Sequence, residues 1–219
     1  MTKKVLFIAP NFPPVGGPGT NRSLQFVRYL TAMGYEIHVV TAALEEIGLG
    51  LYPRDDSQLA LVPESVKITR LPVPDLRRVK RVFRKLRLYR LVWFFLFPWV
   101  WESYARWPRV AFGPIRAILE AEQIPLVYTS SGPFALLFLG ARLKKKLNVK
   151  WVADLRDPYT DGYNGIWPSK LHWHGCRMVE RYLLRKADRV IVTAPALKRL
   201  YLHRNVLAPS QVEVITNGF

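Results

Sequence analysis

The sequence is poor in cysteine and in acidic residues. Cys176 is the only cysteine among 219 residues, so an intrachain disulfide is excluded and a reducing, cytoplasmic compartment is the natural setting. The 16 Asp and Glu side chains are outnumbered by 33 Lys and Arg, which gives a formal net charge of +17. This surplus of positive charge favours a polyanionic partner, either nucleic acid or an anionic membrane face.

The sequence also has no hydrophobic run long enough to cross a bilayer. The apolar stretch at residues 91–101 has eleven residues and is interrupted by Pro98, whereas a spanning helix needs about 20. Near the N-terminus, five apolar residues precede Pro10, which is too short a run for a signal sequence. We therefore expect a cytoplasmic chain that does not cross the membrane.

What the sequence does contain is a regular alternation of strand and helix patterns. Half of the residues are apolar and 13% are aromatic, which excludes disorder for most of the chain. Strands are predicted at residues 5–9, 36–41, 66–71, 126–130, 151–154, 189–193 and 212–216. Helices are predicted at 20–33, 113–122, 134–146 and 169–186, and a loop at 44–63. This order predicts a Rossmann-like α/β fold, a doubly wound and mainly parallel sheet of about seven strands with helices on both faces.

The first strand leads into a turn rich in proline and glycine at residues 10–19, and a helix opens at Thr20. In an α/β fold this arrangement places backbone N–H groups and the positive end of a helix dipole where an anion can bind. The glycines form G-G-x-G rather than G-x-G-x-x-G, and the second strand ends in Thr41 and Ala42 rather than in an acid, which disfavours NAD. We expect a phosphate here; the alternative is that the glycines only form a tight turn.

Residues 75–109 differ in composition from the rest of the chain. Eight cations occur without an acid among them, and the aromatic run LVWFFLFPWVW follows at once. We expect this segment to bind an anionic membrane surface, because Lys and Arg attract headgroups while Trp and Phe settle in the interface. The residues assigned to this contact are Arg77, Arg78, Lys80, Arg81, Arg84, Lys85, Arg87, Arg90, Trp93, Phe94, Trp99 and Trp101.

Two alternatives compete with a membrane contact for this segment. It could be an ordinary solvated helix face next to a buried aromatic stretch, since buried apolar runs are common in α/β domains. It could also bind nucleic acid. That reading is disfavoured, because single-strand binders interleave basic and aromatic residues, whereas here the two are segregated.

Small or polar residues lie at or just after the carboxyl ends of five of the predicted strands. They lie at residues 16–17, 130–131, 154–157, 193–194 and 217–218. Ligands of a doubly wound sheet bind beyond the carboxyl ends of its strands, so we expect these loops to share one rim of a cleft.

The sequence around these strand ends resembles a known enzyme family. The segments FPPVGGPGTNR, RYLTAMGYEIHVVTA, DLRDPYTD, ADRVIVTAP and ITNGF, taken in order, resemble the N-terminal half of GT-B glycosyltransferases, in particular the glycosyltransferase family 4-like group. The resemblance covers nearly the whole chain apart from about residues 44–110. It implies that residues 1–219 form an acceptor-binding domain and that a separate C-terminal domain binds the nucleotide sugar. From their composition, we expect residues 75–109 to be a membrane-facing insertion in this domain.

The resemblance also implies roles for individual residues. A loop that binds the donor phosphate or the acceptor would comprise Gly16, Gly17, Gly19, Thr20, Asn21 and Arg22. The acceptor cleft would comprise Ser130, Ser131, Arg156, Tyr159, Thr193, Asn217 and Gly218, the last two marking the crossing to the second domain.

The candidate bases follow the fifth strand. Many retaining members of the family carry a His before the Asp at this point, whereas here the pair is Arg156 and Asp157. An inverting enzyme needs a carboxylate or a His to take the acceptor proton, so Asp157 and then Asp154 are the candidates. The alternative is that Asp157 caps a turn and pairs with Arg156.

The expected function is that of a hexosyltransferase. It would move a sugar from a nucleotide-diphosphate donor to a lipid-linked or other saccharide acceptor at the inner face of the cell membrane, in cell-surface polysaccharide or glycolipid synthesis. No tightly bound cofactor and no metal are expected, since His172 and His174 lie on different faces of a helix. We expect the 219-residue chain alone to transfer no sugar. The alternatives are a basic module that binds membrane or nucleic acid without catalysis, and a GT-B-like nucleotide-sugar epimerase.

Overall fold

A computed structural model describes residues 3–43, 53–74, 106–162 and 167–217, together with Lys85 and Phe94. Its strands are β1 (Lys4–Ile8), β2 (Glu36–Ala42), β3 (Lys67–Leu71), β4 (Leu126–Ser131), β5 (Lys150–Leu155), β6 (Arg189–Val192) and β7 (Val212–Val214). Its helices are α1 (Pro18–Ala32), α2 (Trp107–Glu122), α3 (Ala135–Leu147), α4 (Tyr159–Gly162), α5 (Lys170–Leu184) and α6 (Pro195–His203), with 3₁₀ turns at Asp56–Leu61 and Pro209–Gln211.

The seven strands form one sheet in the order β3-β2-β1-β4-β5-β6-β7, and every neighbouring pair is parallel. The strand order reverses between β1 and β4. At such a reversal the two following loops diverge to opposite faces and leave a crevice at the carboxyl edge of the sheet. The predicted doubly wound parallel fold is therefore confirmed.

The core lies on both faces of the sheet because strand side chains alternate. Leu6 and Ile8 of β1 belong to a cluster that also holds Trp107 and Ile115 of α2. Val5 and Phe7 belong to the opposite cluster, together with residues of α1. This alternation follows from the two-residue period of a strand and buries apolar surface against helices on each side.

Several elements differ from their predicted bounds. Helix α2 begins at Trp107, six residues before the predicted start. Pro108 fits the first turn of a helix, whereas Pro114 lies inside this helix, where a proline in the sequence usually indicates a break. Helix α6 was not predicted, since its nine residues offer only Leu197 and Tyr201 as a buried pair. The described part of the predicted loop contains the 3₁₀ turn at Asp56–Leu61.

Most of the predicted membrane segment lies outside the described residues. This applies to ten of its assigned contacts, which are Arg77, Arg78, Lys80, Arg81, Arg84, Arg87, Arg90, Trp93, Trp99 and Trp101. Lys85 and Phe94 are described, and both are exposed. Among the described helices, none has the length and hydropathy that a membrane span requires.

Trp151 of β5 packs directly against α3 at Gly140. The Trp151 side chain is fully buried, and its Nε1 donates to Thr129 Oγ1 at 3.0 Å. A Cβ atom placed on Gly140 would overlap the indole ring. The close approach of α3 to the sheet therefore depends on a glycine at this position.

We predict that Gly140→Ala lowers the free energy of unfolding by about 1–3 kcal/mol through overpacking, although alanine is the better helix former. Gly175→Ala in α5 is the matched control, because its new methyl group meets nothing within 4 Å. That control should raise the free energy of unfolding by about 0.5–1 kcal/mol. Urea denaturation measures both, and a stabilised Gly140→Ala protein would contradict the packing described here.

Candidate functional site

The loops that follow β1, β4, β5, β6 and β7 meet at the carboxyl edge of the sheet. We call this cluster the rim; it comprises residues 16–23, 130–132, 154–157, 193 and 217. Arg22 joins Asp154 to Asn217, and Thr193 Oγ1 donates to the backbone carbonyl of Arg156 at 2.8 Å. The structure thus brings together the five loops that the sequence places at strand ends.

Arg22 and Asp154 form the central contact of the rim. Arg22 Nε donates to Asp154 Oδ2 at 2.9 Å and Nη2 donates to Oδ1 at 2.7 Å, and the two side chains are only 2% and 1% exposed. Arg22 Nη1 donates to Asn217 Oδ1 at 3.0 Å. Both oxygens of Asp154 are therefore held by a buried cation, an arrangement suited to an anchor rather than to a base that meets substrate.

Tyr128 lies beneath this ion pair on the same face of the sheet. Its ring stacks on Phe7 of the adjacent strand, with ring centroids 4.5 Å apart. Burial, and secondly the Asp154 carboxylate, raise the pKa of the Tyr128 hydroxyl well above its ordinary value. The phenol therefore stays neutral and adds no charge to the rim.

Arg156 lies between two glycines of the rim. Its Nη2 donates to the carbonyl oxygen of Gly132, and a Cβ on either Gly19 or Gly132 would run into the guanidinium. Its Nε is buried and has no hydrogen-bond partner among the described residues. The two glycines let this cation lie against the first turn of α1, whose N–H groups carry positive partial charge.

The predicted phosphate loop is held by contacts within the protein. The Gly16 N–H donates to Pro53 O at 2.8 Å, and the Gly17 carbonyl accepts from the N–H groups of Thr20 and Asn21. Gly17 has a φ of 108°, which only glycine adopts readily. Turn geometry thus accounts for Gly16 and Gly17, and a role in binding phosphate stays a prediction.

Side chains of the same loop are also engaged. Thr20 is buried and its hydroxyl points to Gly16 O at 3.4 Å, whereas the exposed Asn21 accepts from Gln58 Nε2 at 2.9 Å. Ser130 is buried beside α1, where its hydroxyl oxygen lies 3.3 Å from Ser23 Oγ. Ser131 Oγ is buried without a hydrogen-bond partner among the described residues.

The candidates after β5 separate into exposed and buried positions. Asp157 is exposed, whereas Tyr159 is buried and packs its ring against Phe134 with centroids 4.3 Å apart. Tyr159 therefore supports the rim from beneath rather than lining the cleft. Gly218 lies outside the described residues.

Glu180 of α5 fixes the segment that follows Asp157. Its carboxylate accepts from the Tyr159 N–H at 3.2 Å, from Thr160 Oγ1 at 2.6 Å and from Tyr201 OH at 2.9 Å, and the residue is 1% exposed. Burial raises the pKa of Glu180, against the opposing effect of these hydrogen bonds. One buried acid thus ties the β5 loop to both α5 and α6.

Sequence reasoning missed Glu180 and the partner of Arg22, although each left a signal. Glu180 follows Cys176 by four residues and precedes Leu184 by four, so it falls on the apolar side of its helix. Arg22 is a cation near a helix N-terminus, where the helix dipole opposes it unless an anion is close. The sequence pattern at both positions indicates a buried partner but does not identify which residue it is.

We predict that Arg22→Met lowers the free energy of unfolding by about 3–5 kcal/mol, because Asp154 would be left buried without a counterion. Arg22→Met combined with Asp154→Leu should recover most of this loss, since both charges are then removed. Arg116→Met is the control, because both side chains of the ion pair between Arg116 and Glu120 are more than half exposed. Its loss should lower the free energy of unfolding by under about 1 kcal/mol. A double variant as unstable as Arg22→Met would contradict the pairing.

A second prediction concerns pH. The pKa of Glu180 is raised in the folded protein, so the unfolded chain loses this proton first, near a pKa of about 4.3. The stabilising effect of the protonated acid is complete below that pH and is lost as pH rises towards the folded pKa. The free energy of unfolding of the wild type, minus that of Glu180→Gln, should therefore fall as the pH rises above about 4. A difference that rises with pH would contradict the raised pKa.

Comparison with known proteins places this architecture in a family. The glycosyl transferase 4-like domain family matches residues 16–218, whereas no curated protein sequence matches the chain. A glycosyltransferase from Rickettsia africae ESF-5 is similar over 99% of this chain and 43% of its own, with a TM-score of 0.53 and 14% identity. A UDP-GlcNAc 2-epimerase from Methanocaldococcus jannaschii is similar over 99% and 46%, with a TM-score of 0.52 and 11% identity.

A transferase from Siraitia grosvenorii in complex with UDP is also similar, over 98% of this chain and 50% of its own, with a TM-score of 0.53 and 12% identity. The chain therefore spans half or less of the length of these three solved structures. At such identities the structures show the fold alone. Taken with the family match, this fold confirms the resemblance to the N-terminal half of GT-B glycosyltransferases. Because the family match takes in nearly every residue from the turn after β1 onward, the chain belongs to the glycosyl transferase 4-like domain family.

Proposed function

We propose that this chain is the acceptor-binding domain of a hexosyltransferase that acts at the inner face of the cell membrane. The donor is a nucleotide-diphosphate sugar, and the acceptor is a lipid-linked or other saccharide used for cell-surface polysaccharide or glycolipid. The observation that carries the proposal is the meeting of five loops at the rim in a chain of this family. Crevices at such a reversal of strand order are where α/β folds bind ligands.

Positive charge at the rim supports a role in holding the donor diphosphate. Arg156 lies against the first turn of α1, so a guanidinium and a helix N-terminus act in the same place. Oxygen atoms of a departing diphosphate gain negative charge in the transition state, and fixed cations stabilise that charge. Arg156 is therefore the residue of the rim best suited to the diphosphate, ahead of Gly16, whose N–H already donates to Pro53.

Asp157 is the carboxylate best suited to act as base. It is exposed at the rim, whereas Asp154 is buried and paired with Arg22. Asp157 would take the proton of the acceptor hydroxyl as that oxygen bonds to the anomeric carbon of the sugar. The bond from this carbon to the diphosphate breaks in the same step. The proposed step needs no metal ligand from the described residues.

The membrane location rests on charge and composition. The chain carries a net charge of +17, and residues 75–109 join a basic run to an aromatic one. Anionic headgroups attract the basic run, and the aromatic side chains settle in the membrane interface. An acceptor carried on a lipid would then be presented where the domain is held.

The second domain is also part of the proposal. Asn217 accepts from Arg22, so the chain is fastened to the rim just where the family resemblance sets the crossing. A nucleotide-sugar domain on the far side of the cleft would complete the enzyme, and the 219-residue chain alone should transfer no sugar.

The proposal is tested on the full-length enzyme with both domains, using radiolabelled nucleotide-diphosphate sugars and a membrane lipid extract. Asp157→Asn should lower turnover by about 10²-fold or more, which is the usual contribution of a general base. Glu36→Gln is the matched control, since this exposed acid begins β2 at the opposite edge of the sheet and should leave turnover unchanged. A loss below threefold in Asp157→Asn would remove Asp157 from the role.

The same assay separates transfer from the alternatives. Label that moves from the donor into lipid or saccharide supports a glycosyltransferase. A nucleotide sugar converted to its epimer without labelled acceptor would support the epimerase alternative, and lipid binding without any conversion would support a module that lacks catalysis.

A further inference from the structure

We propose that the exposed face of α5 is a second membrane-binding surface, which docks onto an anionic lipid bilayer. The α5 face consists of Lys170, Leu171, His174, Met178, Arg181, Tyr182 and Arg185, all of them exposed. This inference rests on the proposed function, because it orients the same enzyme on the membrane. It goes beyond the basic segment at residues 75–109, which is a different part of the sequence.

The centre of the α5 face is apolar. Leu171 is 80% exposed, Met178 is 69% exposed and Tyr182 is 62% exposed. Spacings of seven and four residues place these three side chains on one side of the helix. The other side packs into the core through Cys176, Leu183 and Leu184, so fold stability does not explain the exposed stripe.

Cations border this stripe, and exposed acids are missing from the helix. Within and just after α5 the sequence provides five cations, which are Lys170, Arg177, Arg181, Arg185 and Lys186. The single acid of the helix, Glu180, is buried and accepts hydrogen bonds from Thr160 and Tyr201. An apolar stripe with a basic border is the pattern of helices that lie in the membrane interface.

The basic border also offers a place for a lipid headgroup. Met178, Arg181, Tyr182, Arg185 and Lys186 line an open pocket of about 330 Å³. The Lys186 ammonium lies 4.4 Å from the centroid of the Tyr182 ring, so cation and aromatic side chain face the same space. A phosphate there would meet positive charge while its acyl chains meet the apolar stripe.

Helix α5 contacts Phe94, a described residue of the basic and aromatic segment. Phe94 is 40% exposed, and its ring packs edge-on against His172 of α5 with centroids 4.8 Å apart. His172 Nε2 also lies 2.7 Å from the Phe94 carbonyl oxygen. Since α5 begins on the carboxyl side of the sheet, the membrane contact would start beside the rim and hold the cleft close to the lipid surface.

Charge favours a bilayer over the other occupants of such a face. Two copies of this chain would bring like-charged borders together, which opposes self-association. Nucleic acid would meet an apolar centre where phosphates need cations. An anionic bilayer satisfies both the apolar centre and the basic border.

The test is binding of the 219-residue chain to vesicles of phosphatidylcholine with and without 30% phosphatidylglycerol, measured by flotation. The variant Lys170→Gln/Leu171→Ser/Met178→Ser/Arg181→Gln should bind the anionic vesicles at least tenfold more weakly than the wild type. The matched control is Tyr29→Ser/Met33→Ser/Lys145→Gln/Lys146→Gln, which removes two exposed apolar side chains and two exposed cations elsewhere. Its binding should stay within twofold of wild type.

Equal losses in both variants would overturn the proposal, because binding would then follow net charge alone. An unchanged affinity in the α5 variant would also overturn it. Sedimentation equilibrium tests self-association. If the wild type self-associates and the α5 variant is monomeric, the α5 face joins copies of the chain rather than docking onto a bilayer, and the proposal is overturned. None of these results depends on sugar transfer, which is assayed separately with acceptor dispersed in detergent.

A depth measurement reports direct contact. Tyr182→Cys is labelled with an environment-sensitive dye, and Met33→Cys, just after the end of α1, serves as control. The native Cys176 should not compete for the dye, because burial raises the pKa of its thiol to about 11. Anionic vesicles should shift the emission of the dye at position 182 to the blue and leave that at position 33 unchanged. The absence of a shift at position 182 would overturn the proposal.

Discussion

The structure depends on one buried ion pair at the carboxyl edge of the sheet. Arg22 and Asp154 come from elements 132 residues apart, and their two hydrogen bonds fix the start of α1 over the end of β5. The third contact of the guanidinium, with Asn217, extends this constraint to the last described part of the chain. A charge buried to this extent is tolerated only when its partner is held in place, so the loops of the rim have little freedom relative to one another.

A second layer of constraint supports the chemistry. Glu180 holds the backbone and side chains just after Asp157, while Gly19 and Gly132 leave room for the Arg156 guanidinium. The exposed carboxylate and the neighbouring cation therefore project from segments that buried contacts fix in place. Preorganised charge of this kind is what transfer from a diphosphate requires, because the leaving group and the acceptor must be stabilised together.

The sequence predicted the fold well because strand and helix periods are local properties. All seven strands lie where the pattern of Val, Ile and aromatic residues placed them, within about two residues. The start of α2 was harder to predict, because a proline near a helix start is a weak local signal. Helix α6 was missed because its apolar pattern is short. The side-chain contacts of the rim could not be predicted from the sequence. Nothing local shows that Arg22 meets Asp154, or that the glycine at 19 makes room for Arg156 rather than for a phosphate.

The central claim is that the rim forms the acceptor side of a transferase cleft. Hydrogen–deuterium exchange of the full-length enzyme, with and without its nucleotide sugar and acceptor, tests this most directly. The account predicts slower exchange in residues 16–23, 130–132 and 154–160, with no change where α2 ends at Glu122 on the opposite edge of the sheet. Protection confined to that opposite edge, with the rim unaffected, would contradict it.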